Sequence, residues 1–195
     1  MLQAWGRRGS SHEWVNEGGS TVSLAALRES VRGMPARDCG WRWLPVALIL
    51  VIADQLSKGW IEVNYRLGEY TPVFFWLDIT RLHNPGAAFS FLAGAGGWQR
   101  WFFTVLAITV SVSLLVWLRT LHARREAVLS AALVFVMAGA IGNVIDRIEH
   151  GYVVDFIHVH WQQAYFPAFN IADAAITAGA VLLIWDAIQD WRRNR

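Results

Sequence analysis

Four long apolar segments divide the chain, and each is bounded by polar or charged residues. They cover roughly residues 43–62, 99–118, 128–146 and 171–189. Each has about 18 to 20 residues, enough for a helix to cross a bilayer core of about 30 Å. A segment within lipid must be helical, because hydrocarbon offers no partner to backbone N–H and C=O groups. The pattern therefore predicts four transmembrane helices.

The polar connections between these segments contain two β-like stretches. Residues 72–83 are rich in aromatic and β-branched side chains, which predicts a strand. Residues 84–86, Asn-Pro-Gly, predict a turn, after which residues 87–92 are expected to return as a second strand. Residues 153–160 have the same β character. We expect a small sheet on the outer membrane surface, and the fold class is a mainly α membrane protein.

The N-terminal segment 1–40 is polar and rich in Gly, Ser and Arg, without a sustained period. It is predicted to be a mostly disordered cytoplasmic tail, and none of it is apolar enough for a signal peptide. Residues 41–190 form the predicted membrane domain, and residues 191–195 a basic C-terminus.

Composition supports a membrane protein, since 55% of the residues are hydrophobic and 16% are charged. The twelve Trp residues suit the aromatic belts found where membrane meets water. A net charge of +2 gives no sign of nucleic-acid binding. Cys39 is the one cysteine of the sequence, which excludes an intrachain disulfide.

Arg and Lys are concentrated in the N-terminal tail, in the 119–127 loop and at the C-terminus. Because positive charge is enriched on the cytoplasmic side, both termini and this loop are predicted to be cytoplasmic. Residues 63–98 and 147–170 must then lie together on the outer face.

Two acidic residues beside the apolar segments are candidates for a catalytic pair. Asp155 lies in an apolar run. Its carboxyl is either buried, with a raised pKa, or on a side chain that points to water. Asp173 begins the fourth segment, where it is either part of a helix cap or an ionised base. Carboxylates this close to hydrocarbon mark a functional site by default. A pair sharing one proton would let one activate water while the other polarises a carbonyl.

Other polar residues have both structural and functional interpretations. Asn143 shares a helical face with Asp146 and Arg147. Asp146 and Arg147 form a structural pair, or Arg147 and Asn143 instead hold the backbone or carbonyl groups of a substrate. Asp54 and Lys58, four residues apart on the first helix, are expected to pair as a buried tether.

Asn84 is either a turn former or a ligand contact, and Asn170 is a predicted N-cap. His158 and His160 with Asp155 raise the possibility of a metal site, but too few further ligands accompany them. We expect no metal and no cofactor. A proton relay and a purely structural membrane anchor stay open as other functions.

Five motifs resemble the lipoprotein signal peptidase family, the bacterial signal peptidase II enzymes. Their order and spacing match over about residues 41–190. The motifs are Asp54-Gln-Leu-Ser-Lys58, Asn84-Pro-Gly-Ala-Ala-Phe-Ser90, Gly142-Asn-Val-Ile-Asp-Arg147, Gly151-Tyr-Val-Val-Asp-Phe156 and Phe169-Asn-Ile-Ala-Asp173.

The resemblance implies a monomeric aspartyl endopeptidase of the bacterial inner membrane, with four transmembrane helices and a small extracytoplasmic β-cradle. Its partners would be membrane lipid and prolipoproteins, cleaved before a diacylglyceryl-modified cysteine. By motif, Asp155 and Asp173 would be catalytic. Asn84, Asn143, Arg147 and Asn170 would line the substrate pocket, and Asp54, Lys58 and Asp146 would brace the fold.

Two features depart from the family pattern. The tail before Trp41 is longer than the family needs. His158 stands where the family often has another acid, which would shift the pH optimum.

Overall fold

The computed structural model describes residues 6–7, 13–15, 21–23, 38–86, 97–162 and 164–195. Within them, the four apolar segments are all helices long and apolar enough to cross a membrane, as predicted. The helices are α1 (Leu44–Asn64), α2 (Trp98–Thr120), α3 (Ala127–Glu149) and α4 (Ile171–Arg193).

Helix α3 is the centre of the bundle. Of its most apolar eighteen residues 61% are buried, against 17 to 22% for the other three helices. A helix buried on most sides belongs inside a bundle, whereas exposed apolar faces suit contact with lipid. Helix α4 packs closely on α3, because a Cβ on Gly139 would overlap the carbonyl of Ala172. The absence of a side chain at this glycine therefore lets the start of α4 approach the middle of α3.

A four-stranded antiparallel sheet lies at one end of the bundle, with the strand order β4-β5-β6-β7. Its strands are β4 (Tyr70–Phe74), β5 (Leu77–Asn84), β6 (Val153–Trp161) and β7 (Ala164–Tyr165). The two connections predicted to lie together do so, because β5 from one pairs with β6 from the other. Ile61, Val154 and Phe156 form an apolar core between α1 and this sheet.

The strand predicted over 72–83 is in fact two strands. The chain turns back at residues 75–76, and the two halves, β4 and β5, pair with each other as an antiparallel hairpin. The strand predicted over 87–92 lies outside the described residues. The strand predicted over 153–160 is confirmed as β6.

The register between β5 and β6 shifts between Ile79 and Leu82. Beyond this shift, Leu82 lies opposite Asp155 and Asn84 lies opposite Val153. The shift therefore decides which residues of the two strands face each other next to the helices.

Three short antiparallel strands lie within the N-terminal segment that is predicted to be mostly disordered. They are β1 (Gly6–Arg7), β2 (Glu13–Val15) and β3 (Thr21–Ser23). The cytoplasmic location of the tail stays a prediction.

Candidate active site

Asp155 and Asp173 come together where α3 ends, α4 begins and β5 lies beside β6. Asp155 is buried in β6, with 3% of its surface exposed, and Asp173 is half-buried in the first turn of α4. The two segments meet because Phe169 pairs with Ile157, which folds the chain after β7 back along β6.

Asn170 contacts both carboxyl groups. Its Nδ2 donates to Asp155 Oδ1 at 2.7 Å, and its backbone N–H donates to Asp173 Oδ2 at 3.3 Å. Each carboxyl has a second amide partner. Asn84 Nδ2 donates to Asp155 Oδ2 at 3.0 Å, and Asn143 Nδ2 donates to Asp173 Oδ1 at 2.8 Å. These asparagines therefore orient both acids within one hydrogen-bond network.

Asn170 also caps α4, as predicted. Its Oδ1 accepts the backbone N–H of Asp173 at 2.9 Å, and the return bond from its own N–H completes a capping box. The N-terminus of a helix favours negative charge, so the cap and the dipole both suit an ionised Asp173. The structural and functional interpretations of these residues are thus compatible.

Asp155 differs from Asp173 in its electrostatic setting. Burial raises the pKa of Asp155 to about 7, and the negative charge of Asp173 raises it too. The hydrogen bonds from Asn84 and Asn170 act in the opposite direction. Near neutral pH the Asp155 carboxyl is therefore close to its titration midpoint, and it carries a proton much of the time.

The raised pKa of Asp155 predicts a pH dependence of stability. Its pKa is about 7 in the folded chain, against an ordinary value of 3.8. The folded state then binds more protons, so this stabilising contribution is complete below about pH 4 and is lost as pH rises through about 7. We expect Asp155→Asn to remove this loss. In thermal unfolding in detergent from pH 4 to 8, the melting temperature of the variant should rise relative to that of the wild type as pH rises.

The control for this measurement is Asp190→Asn, because Asp190 is exposed at the other end of α4. Its unfolding profile should parallel that of the wild type. Parallel profiles for Asp155→Asn and the wild type would contradict the assignment of a raised pKa to this carboxyl.

A buried ionic cluster lies beside the backbone that carries the two acids. Lys58 Nζ is 2.8 Å from Asp54 Oδ2 and 3.0 Å from Asp146 Oδ2. The predicted pair of Asp54 and Lys58 is therefore confirmed. Asp146 pairs with Lys58 rather than with its neighbour Arg147, because its side chain points towards α1. All three members of the cluster are buried.

The cluster positions the backbone on both sides of the site. Asp54 Oδ1 accepts the N–H of Ala172 at 2.8 Å, and Asp146 Oδ2 accepts the N–H of Val154 at 3.1 Å. Ala172 immediately precedes Asp173, and Val154 immediately precedes Asp155. Each carboxylate of the cluster thus holds the residue just before one of the two candidate acids.

Gln55 is a further member of the cluster, and its role was not predicted from the sequence. Its Nε2 donates to Asp146 Oδ1 at 2.9 Å, to Asp54 Oδ2 at 3.2 Å and to the Gly142 carbonyl at 3.2 Å. Its place directly after Asp54 in the first motif was the signal that could have identified it.

Arg147 and Asn84 lie at the rim of the site. Arg147 Nη1 donates to the Asn143 carbonyl at 3.2 Å, and its guanidinium carbon is 5.5 Å from the centre of the Phe103 ring. Asn84 accepts the Gly86 N–H at 3.0 Å while its amide donates to Asp155. Asn84 is therefore both the predicted turn former and a member of the site.

The two histidines of β6 are not grouped with Asp155. His160 Nε2 is 3.3 Å and His158 Nδ1 is 3.8 Å from Asp78 Oδ2 on the neighbouring strand. Asp78 was not anticipated from the sequence. In the described part of the chain, no group of three or more His, Cys, Asp or Glu side chains is arranged to hold a metal ion.

The fold belongs to a known class of membrane enzyme. One solved structure, titled "Bacterial membrane enzyme structure by the in meso method at 2.3 A resolution", matches with a TM-score of 0.68 and 34% identity, over 77% of this chain and 89% of that chain. A second structure, with the same title except for a resolution of 1.9 Å, matches with a TM-score of 0.64 and 34% identity. The match covers 74% of this chain and 91% of that chain.

The sequence relationships are more specific. Residues 46–189 match the family model described as Signal peptidase (SPase) II. A lipoprotein signal peptidase of Shewanella woodyi is 51% identical over 152 residues, 78% of this chain and 86% of that protein. A lipoprotein signal peptidase of Shewanella baltica is 50% identical over 151 residues, which are 77% of this chain and 88% of that protein. This chain therefore belongs to the signal peptidase II family, as the motifs indicate.

Proposed function

We propose that this chain is an aspartic endopeptidase that removes signal peptides from diacylglyceryl-modified prolipoproteins, with Asp155 and Asp173 as its catalytic residues. One observation carries the proposal. Asn170 bonds to both carboxyls, one of which has a pKa of about 7. A carboxyl that keeps its proton near neutral pH can act as an acid beside a second carboxyl that acts as a base. Family membership supports the substrate class.

In the proposed reaction, Asp173 begins ionised and Asp155 begins protonated. Asp173 takes a proton from water as the water oxygen attacks the scissile carbonyl, whose oxygen takes the proton of Asp155. The resulting diol collapses as its C–N bond breaks. The leaving nitrogen receives the proton held by Asp173, and a hydroxyl of the diol returns its proton to Asp155. Both carboxyls end as they began, so no cofactor is needed.

Four polar residues would hold the substrate around this pair. Asn84, Asn143 and Asn170 keep the acids in place, and their amides are next to the reacting groups. Arg147 rests on Phe103, and its Nε is buried without a hydrogen-bond partner among the described residues. A buried donor of this kind gains from binding a peptide carbonyl. Asp54, Lys58 and Asp146 would act by bracing the backbone.

The location proposed for this reaction is the outer boundary of the bacterial inner membrane, with both chain termini in the cytoplasm. A monomer would meet its lipid-anchored substrate from within the leaflet. Cleavage immediately before the lipidated cysteine would leave the acyl chains in the bilayer, so the scissile bond need not leave the membrane interface.

The test is a cleavage assay with the purified chain in detergent. A diacylglyceryl-modified precursor should yield one product that begins with the modified cysteine, identified by mass spectrometry. The matched unlipidated precursor should be cleaved far more slowly. Equal cleavage of both precursors, or cleavage elsewhere, would overturn the proposed specificity. Proton flux in vesicles without cleavage would favour the relay instead.

A further inference from the structure

The register shift between Ile79 and Leu82 is a β-bulge beside the candidate active site. Within the bulge β5 has two residues, Thr80 and Arg81, whereas β6 has the single residue Phe156 between its paired positions 155 and 157. A bulge adds one residue to one strand, and a shift of one residue changes which face of the sheet the following side chains occupy.

The bulge puts Asn84 on the same face of the sheet as Asp155. Directly opposite residues of antiparallel strands point to one face, and so do residues two apart on a strand. Asn84 lies opposite Val153, which is two residues before Asp155. Without the shift, Asn84 would lie opposite Tyr152, and its side chain would point to the other face. The 3.0 Å hydrogen bond from Asn84 to Asp155 therefore depends on the bulge.

Arg81 binds the bulge to the end of α1 through both its side chain and its backbone. Its Nη1 donates to the carbonyls of Glu62 at 2.9 Å and of Tyr65 at 3.2 Å, and its Nη2 donates to Glu62 Oε1 at 3.2 Å. Its own carbonyl accepts the N–H of Gly68 at 2.8 Å. Helix α1 has no basic residue in its last turn. Arg81 therefore supplies the positive charge and the donors that the carbonyls of a helix end favour.

Helix α1 is a common support for both sides of the site. Near its middle, Asp54 accepts the N–H of Ala172, the residue before Asp173. At its end, it holds Arg81 on the strand that carries Asn84. The two acids are thus positioned relative to one helix, and Arg81 makes the connection on the side of the sheet.

We propose that Arg81 is a positioning residue, which fixes the bulge against α1 and so keeps Asn84 within hydrogen-bond distance of Asp155. The contacts of Arg81 are with α1 and the connection that follows it, so it acts on the acid through Asn84. Its effect on cleavage rests on the proposed function, whereas its effect on the Asp155 carboxyl does not.

The test is Arg81→Gln, compared with the wild type by the carbon-13 signal of the Asp155 carboxyl during a pH titration in detergent. The signal is assigned by its absence from Asp155→Asn. The hydrogen bond from Asn84 lowers the pKa of Asp155, so loss of the bond should raise that pKa above about 7. Arg81→Gln and Asn84→Ala should therefore shift it in the same direction. The matched control is Arg66→Gln, which changes an exposed arginine between α1 and β4 and should leave the pKa of Asp155 unchanged.

Two further variants distinguish positioning from a direct effect of the arginine's charge. In an Asn84→Ala background, Arg81→Gln should not change the pKa of Asp155 further, whereas a direct effect of the charge would persist. Arg81→Lys keeps the charge but lacks the planar group that reaches several acceptors at once, so the pKa of Asp155 should rise in this variant too. If Arg81→Gln does not fold, Arg81→Lys decides the question. An unchanged pKa in the folded Arg81 variants, or equal shifts with and without Asn84, would overturn the proposal.

Cleavage assays separate this inference from the proposed function. At saturating precursor, kcat should be several-fold lower for Arg81→Gln than for the wild type, and Arg66→Gln should cleave at the wild-type rate. A raised pKa of Asp155 in a chain that cleaves no precursor would support the positioning role and refute the peptidase assignment. A raised pKa with wild-type kcat would refute a role of Arg81 in the reaction.

Discussion

Asp155→Asn and Asp173→Asn are each expected to abolish cleavage of a lipidated precursor. Each change removes one proton-transfer group while keeping the side chain's size, so the rate should fall by about a thousandfold or more. Loss of Asp173 removes the base that takes a proton from water. Loss of Asp155 removes the acid that protonates the carbonyl oxygen. Single-turnover assays at saturating substrate would measure the chemical step for both variants.

The matched control is Asp190→Asn, which changes an exposed carboxylate on the same helix as Asp173. This variant should cleave at the wild-type rate. Melting temperatures would confirm that all the variants are folded. Full activity of either Asp155→Asn or Asp173→Asn would refute the catalytic assignment, and it would favour a purely structural role for these carboxyls.

Lys58→Met is expected to destabilise the fold strongly. The change leaves the carboxylates of Asp54 and Asp146 buried without their shared cation. Breaking a buried ion pair in this way costs about 3–5 kcal/mol, because one partner keeps an uncompensated charge. Both carboxylates also hold backbone N–H groups beside the site, so activity should fall as well. Denaturant or thermal unfolding in detergent measures the loss of stability.

An exposed ion pair on the same chain is the control. Arg193 Nη2 is 2.8 Å from Asp190 Oδ1, the same distance as between Lys58 and Asp54, but both partners are exposed. Arg193→Met should therefore cost at most about 1 kcal/mol. Adding Asp54→Asn and Asp146→Asn to Lys58→Met should recover part of the stability. If Lys58→Met lowers the free energy of unfolding no more than Arg193→Met does, the cluster does not stabilise the fold.

Some of the site was predictable because it depends on residues close together in the sequence. The Asn170 cap and Asp173 are three residues apart, and Asp54 and Lys58 are four apart. Such contacts follow from helical geometry alone. The partner of Asp146 was not predictable in this way. Its neighbour Arg147 was the local candidate, but the packing of α1 on α3 brings Lys58 closer.

The strand predicted over 72–83 also shows what local sequence cannot predict. Its composition indicated β structure correctly, but a turn at residues 75–76 divides it into β4 and β5, which pair with each other. Residue type determines whether a segment can be a strand. Where a strand ends depends on the partner that its backbone meets.

The sequence by itself determined the four helices, the β character of two connections between them and the acids that belong to the family motifs. The length of an apolar segment and the spacing of nearby residues are properties of the chain itself, so they can be recognised without knowledge of the fold. Only the tertiary structure decided that Asn170 bonds to both Asp155 and Asp173, that Lys58 is shared by two carboxylates, and that Asp78 lies beside two histidines. Those contacts join residues far apart in the chain, and they depend on how the helices and the sheet pack together.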